Sequence, residues 1–126
     1  MSIPAELRYS EEHEWVRLDG RTATIGITDH AQTQLGDIVF VELPSDGDTV
    51  DAGGEFGTVE AVKTVSSLFS PMAGTIIELN TELETRPEAV NEDPYGDGWM
   101  IKIEVADVAE FNALLTSDAY KDFIGE

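Results

Sequence analysis

The sequence contains no cysteine. That excludes a disulfide framework, a thiolate zinc site and a cysteine nucleophile. Positive charge is scarce: 7 Lys and Arg stand against 26 Asp and Glu, a formal charge of −19 in 126 residues. Lys63, Lys102 and Lys121 are the only lysines. A surface of this sign repels phosphate, so nucleic acid and anionic membranes are poor partners. Long apolar runs are missing too, and a membrane-spanning helix needs about 20 such residues. The start, Met1-Ser2-Ile3-Pro4, has neither the basic segment nor the apolar stretch of a secretory signal, so a cytoplasmic location is expected. Histidine is limited to His13 and His30, whose spacing matches no metal motif, and no metal is expected. Carboxylate pairs such as Glu11/Glu12 and Asp46/Asp48 are expected by chance in so acidic a chain and do not argue for hydrolase chemistry.

What is present is enough for one folded domain, expected over 1–126. Apolar residues make up 41% of the chain, too many for a disordered acidic tail. Self-repulsion of 19 excess charges opposes compaction at low salt. At about 1 M ionic strength the Debye length is roughly 3 Å and the repulsion is screened. Together with the shortage of lysine, this points to a halophile's salt-rich cytoplasm.

Short alternating runs broken by Gly, Pro, Asp and Asn predict a mainly β chain. Strands are expected over Tyr9–Leu18 and Thr22–Ile27, joined at Asp19-Gly20, then over Ile38–Leu43, Phe56–Val62, Val65–Phe69, Thr75–Leu79 and Gly98–Val105. Thr49–Gly54 reads as a turn-rich passage, and Asn80–Pro94 as a polar surface loop. A short helix is expected near 29–36, with Asp29 as N-cap, Gln32 three residues on and Gly36 as C-cap. Around 107–124 the period changes. Asp107 and Glu110 suggest a capping box, with Val108, Phe111, Leu114 and Leu115 on one helical face. A second short helix over Ser117–Ile124 would pack Tyr120, Phe123 and Ile124 inward.

The segment Val59-Glu60-Ala61-Val62-Lys63-Thr64-Val65 stands out. It reads as a β-hairpin with a lysine at its tip. Most exposed lysines are solvated charges. Here, however, Val62 and Val65 flank the tip where a turn prefers Gly, Asn, Asp or Pro, and the chain avoids lysine almost everywhere else.

Six ordered blocks then carry a resemblance: Tyr9-Ser10-Glu11-Glu12-His13-Glu14-Trp15-Val16, Ile25-Gly26-Ile27-Thr28-Asp29-His30-Ala31-Gln32, Leu35-Gly36-Asp37-Ile38-Val39-Phe40-Val41-Glu42-Leu43-Pro44, Gly57-Thr58-Val59-Glu60-Ala61-Val62-Lys63-Thr64, Ser70-Pro71-Met72-Ala73-Gly74, and Asn91-Glu92-Asp93-Pro94-Tyr95-Gly96-Asp97-Gly98-Trp99-Met100. From about Tyr9 to Phe123 the chain resembles the H-proteins of the glycine cleavage system. The resemblance implies a flattened barrel-sandwich hybrid of two sheets related by a rough two-fold. It implies a carrier protein rather than an enzyme, with lipoic acid joined in amide linkage to Lys63 on an exposed hairpin. The implied partners are a PLP-dependent glycine decarboxylase, a tetrahydrofolate-dependent aminomethyltransferase, a dihydrolipoyl dehydrogenase and a lipoate-attaching enzyme. The carrier would take the aminomethyl group of glycine from the first to the second and be reoxidised by the third.

Acylation removes the lysine charge and leaves an arm reaching on the order of 12 Å past the backbone. The sulfur such chemistry needs is thereby imported into a chain without cysteine. A loaded arm needs shelter from water, with a carboxylate to pair its ammonium. Glu14 and His30, in matching blocks, are the candidates for that groove. Glu60, three residues before Lys63, and the flanking Val62 and Thr64 form the hairpin context. Ala61 and Thr64 replace the Ser and Ala more usual in the family, and both are small enough for a turn. A biotinyl domain would place Met on both sides of the lysine, and a 2-oxoacid dehydrogenase lipoyl domain usually carries Asp before it. An H-like lipoyl-relay protein outside glycine cleavage is the alternative.

Overall fold

The computed structural model describes residues 3–125. Among these, nine strands form two antiparallel sheets: β1 (Arg8–Tyr9), β2 (Glu14–Asp19), β3 (Thr22–Ile27), β4 (Ile38–Glu42), β5 (Thr49–Val50), β6 (Glu55–Ala61), β7 (Val65–Phe69), β8 (Gly74–Leu79) and β9 (Ile101–Val105). The larger sheet runs β1-β2-β3-β9-β8-β5 and the smaller β4-β6-β7. Period-two alternation explains how they meet, because it lines one face of each strand with apolar side chains. Val16, Ile25, Ile76 and Ile103 from the larger sheet share one buried cluster with Val41, Val59 and Leu68 from the smaller. The mainly β sandwich with short helices agrees with the expected architecture.

A second cluster lies on the outer face of the larger sheet, where Trp15 packs with Leu7, Tyr9 and Tyr120. Trp15 opposes Gly26 in the ladder. A β-carbon at position 26 would stand 2.8 Å from the indole ring, so only glycine fits there. The indole Nε1 donates to the Pro94 carbonyl at 2.9 Å. Helix α3 (Ser117–Ile124) covers this cluster through Tyr120, whose ring stacks on Tyr9 at a centroid distance of 4.7 Å.

Several local expectations are corrected. Tyr9–Leu18 is two strands, because the chain turns through Ser10–His13 between β1 and β2. The β2–β3 turn falls on Gly20-Arg21, one residue later than expected. Helix α1 (Asp29–Leu35) is capped by Thr28, whose hydroxyl accepts from the Ala31 N–H; the Asp29 carboxylate instead accepts from Gln32 Nε2 at 2.7 Å. Gly36 does cap its C-terminus, with φ of 82°. Thr49-Val50 is a strand, held by β8. Segment 80–94 is not simply a surface loop: it holds a 3-10 turn at Thr81–Glu84 and helix α2 (Ala89–Glu92), and Leu83, Ala89 and Val90 are buried. Residues Val108–Ala113 form a 3-10 helix with no buried residue, not an amphipathic α-helix. Glu110 does not close a capping box; its carboxylate accepts from the Ala73 N–H. Leu115 bridges to Tyr9 as strand, and Phe123 is exposed rather than packed inward.

Candidate functional site

Lys63 stands at the tip of the β6–β7 hairpin and is exposed, as are Glu60, Val62 and Thr64. The Ala61 N–H donates to the Thr64 carbonyl at 2.7 Å, closing the turn, and the Val62 N–H donates to the Asp37 carbonyl at 3.1 Å. The second bond fastens the turn to the start of β4. The lysine stem lies over Gly36, where a β-carbon would sit 3.6 Å from Lys63 Cε. Gly36 thus serves twice: its positive φ ends α1, and its bare surface gives the lysine room to lie across the helix end.

Leu35, the residue before it, lines a cavity of about 290 Å³. One wall is α1, with His30, Ala31, Gln34 and Leu35. Another is the smaller sheet, with Val59, Ser66, Ser67 and Leu68. Glu12, His13, Glu14 and Ile27 complete it. Alternation puts Glu14 on the same side of β2 as the core residue Val16, at the point where the sandwich opens. Glu14 is only 2% exposed, so it is not a solvated charge. Its Oε1 accepts from the Ser10 hydroxyl at 2.7 Å and its Oε2 from the Phe69 N–H at 3.3 Å. Burial is the largest influence on this carboxyl and pushes its pKa up to about 8, against the lowering effect of those two hydrogen bonds. A second cavity, of about 480 Å³, lies beyond Glu14 and also shares Glu12 with the first.

His30 is half-buried in the cavity wall, its ring 4.8 Å from that of His13. His13 has a positive φ of 70°, and its Nδ1 lies 2.8 Å from the Tyr120 hydroxyl. That hydroxyl also lies 2.8 Å from Thr28 Oγ1, the α1 cap. Burial, then the neighbouring His30, lowers the His13 pKa, so a neutral ring faces the cavity at neutral pH. Among the described residues no group of three or more His, Cys, Asp or Glu is arranged to hold a metal.

The structure therefore brings Glu14 and His30 together in one cavity, and places Lys63, Glu60, Val62 and Thr64 on the adjoining hairpin rather than in its lining. Sequence reasoning missed Glu12, Ser66 and Ser67 as lining residues. It also missed Asn91, whose amide donates to the Gly36 carbonyl at 2.9 Å and whose Oδ1 accepts from the Ile38 N–H at 2.9 Å. The alternation Ser66-Ser67-Leu68 carried no distinctive signal, and Asn91 was hidden in a segment that reads as polar loop.

The donor set fits a covalently held acyl chain. The cavity has apolar walls from Ile27, Leu35, Val59 and Leu68 for its methylenes and a carboxyl in its lining for a polar load. The family model for "Glycine cleavage H-protein" matches residues 7–126. A relative named "Glycine cleavage system H protein", from Staphylococcus haemolyticus (strain JCSC1435), is 55% identical over 126 residues, covering 100% of both chains. The crystal structure of a glycine cleavage system H protein from Mycobacterium marinum superposes with a TM-score of 0.90 at 40% identity, covering 98% of this chain and 100% of that one. By sequence and by fold, the chain belongs to the glycine cleavage H-protein family.

Proposed function

We propose that this chain is the lipoyl carrier of a glycine cleavage system, with lipoic acid in amide linkage to Lys63. The observation that carries the reading is the pairing of an exposed hairpin lysine, lying over Gly36, with an adjoining cavity that holds the buried carboxyl of Glu14. As a family member the chain is a carrier component of a multienzyme system and not itself catalytic. The bound group would supply a disulfide that accepts the aminomethyl fragment of glycine and is reoxidised after delivery.

The chain's own residues hold, orient and shelter. The β6–β7 hairpin keeps the anchoring amine clear of the sheet. Glu14 pairs the ammonium of the load once its carboxyl has given up its proton. The His13 ring, whose pKa burial lowers, stays neutral and sets no charge against the cation. Apolar walls keep water from the loaded arm. Glu60, Val62 and Thr64 present the hairpin to the lipoate-attaching enzyme. The partners in turnover are the PLP-dependent decarboxylase, the tetrahydrofolate-dependent aminomethyltransferase and dihydrolipoyl dehydrogenase. One domain spans 1–126. No described helix is long and apolar enough to cross a membrane, and a cytoplasmic setting suits the redox partners. The charge of −19 supports a salt-rich, halophilic cytoplasm.

Reconstitution tests the reading. With the three partner enzymes, the lipoylated chain should give glycine-dependent NADH formation, and Lys63→Arg and Lys63→Ala should abolish it, with intact mass showing the lipoyl increment only on the wild type. Undiminished NADH formation by either variant overturns the assignment.

A further inference from the structure

The apolar side chains around the Lys63 turn form a strip of which the carrier reading uses only Val62. Residue Phe40 of β4, Glu60 of β6 and Val65 of β7 are in register across the smaller sheet. Residues opposite one another in a sheet share a face, so these three form a row pointing away from the core. The ladder is interrupted between Ile38 and Phe40. Such a bulge re-aims side chains, and here Val39 and Phe40 are both exposed, at 49% and 50%. Val62 and Val65 flank the lysine at 76% and 62% exposure. Among the described residues the other large exposed apolar side chains, Ile77, Val108 and Phe123, lie on other elements. Asp37 and Glu42 are exposed beside the strip, and the exposed Glu60 stands within it between Phe40 and Val65.

Resting on the assignment of Lys63 as the modified residue, we infer that Val39, Phe40, Val62 and Val65 are the footprint of the enzyme that acylates it, a partner presenting apolar contacts together with cationic side chains. Reach decides the occupant. The free amine lies on the order of 6 Å from its Cα. In the acylation, Nζ attacks the carbonyl carbon of an activated acyl donor, such as a mixed acyl-phosphate anhydride. The new N–C bond forms, the phosphate ester leaves with the electron pair of the broken C–O bond, and the nitrogen gives its proton to a base. An enzyme holding that donor must press its active site onto the turn and the adjoining strip. Later partners meet the far end of an arm on the order of 12 Å long and have no need of the same contact. The carboxylates beside and within the strip add steering toward cationic side chains.

The test is Phe40→Thr/Val65→Thr, which keeps β-forming residues at exposed positions, with Ile77→Thr as control. Rates of acylation of the apo chain are measured with a lipoate–protein ligase, lipoate and ATP. The double variant should raise KM for the carrier about tenfold at unchanged kcat, as loss of a central apolar contact does, while Ile77→Thr changes neither. Once fully lipoylated by long incubation, it should support glycine-dependent NADH formation at the wild-type rate. An unchanged KM overturns the footprint. A loss of NADH formation as large as the loss of acylation overturns it too, assigning the strip to the turnover partners. Failure of the wild-type chain itself to accept lipoate at Lys63 overturns the carrier reading and the footprint together.

Discussion

Glu14 carries the most consequential single perturbation in the molecule. Its folded pKa of about 8 lies above the ordinary 4.5 because burial disfavours the anion. The unfolded chain gives up this proton at lower pH than the folded one, so the folded state loses stability as pH rises from about 4.5 to about 8. Glu14→Gln should remove that part of the pH dependence: its unfolding free energy relative to wild type should improve between pH 4.5 and pH 8 in urea titrations. Parallel curves for the two proteins would contradict the burial of this carboxyl. The same residue links proton to load. An ammonium arriving beside a protonated carboxyl must displace its proton, so retention of the aminomethyl load should strengthen as pH rises toward 8. Glu12, His13 and His30 share the cavity, and the Glu14→Gln variant, which leaves all three in place, isolates the part that belongs to Glu14. In stopped assays of load lost over time, the variant should lose it faster than wild type and without this pH trend.

At the scale of elements, α1 is the moving question, because it walls the cavity and ends where Lys63 lies. It has only seven residues, too few to stand alone. Its ends are held from outside: Thr28 caps the first turn and contacts Tyr120 of α3, and Asn91 binds the Gly36 carbonyl. Thr28→Ala should therefore cost about 1–2 kcal/mol in urea unfolding, and Thr28→Ser should recover most of it. Equal stability of all three would show that the cap contributes nothing. The neighbouring hairpin is held differently, by its own ladder and by the bond from the Val62 N–H to the Asp37 carbonyl. Both devices fix the distance between anchor and cavity while leaving the lysine side chain free.

For the whole molecule, electrostatics set the conditions. Cations are so few that ion pairs such as Arg86–Glu92 and Lys102–Glu78, at 3.4 and 3.7 Å between partly exposed groups, offset little of a charge of −19. Screening by salt is then the available remedy. Circular dichroism across a KCl titration should show native ellipticity rising toward molar salt. A complete native spectrum in salt-free buffer would refute the requirement.

Local chemistry determined much of this protein from sequence alone. The β-branched runs fixed β3, β4, β6 and β7 nearly to the residue, Gly36 marked the end of α1, and the apolar neighbours of Lys63 marked its turn as unusual. Each of these rests on interactions between residues close in the chain. Glu14 was named from its block, yet only the tertiary structure decided that it is buried, because burial depends on the second sheet and on Phe69, 55 residues away. The same holds for segment 80–94, whose Leu83 and Val90 find the core only once the sheets are assembled, and for Glu110, drawn from its own helix to Ala73. Alternation can say which way a side chain points. What it meets there is settled by strands distant in sequence, and that is where the cavity is made.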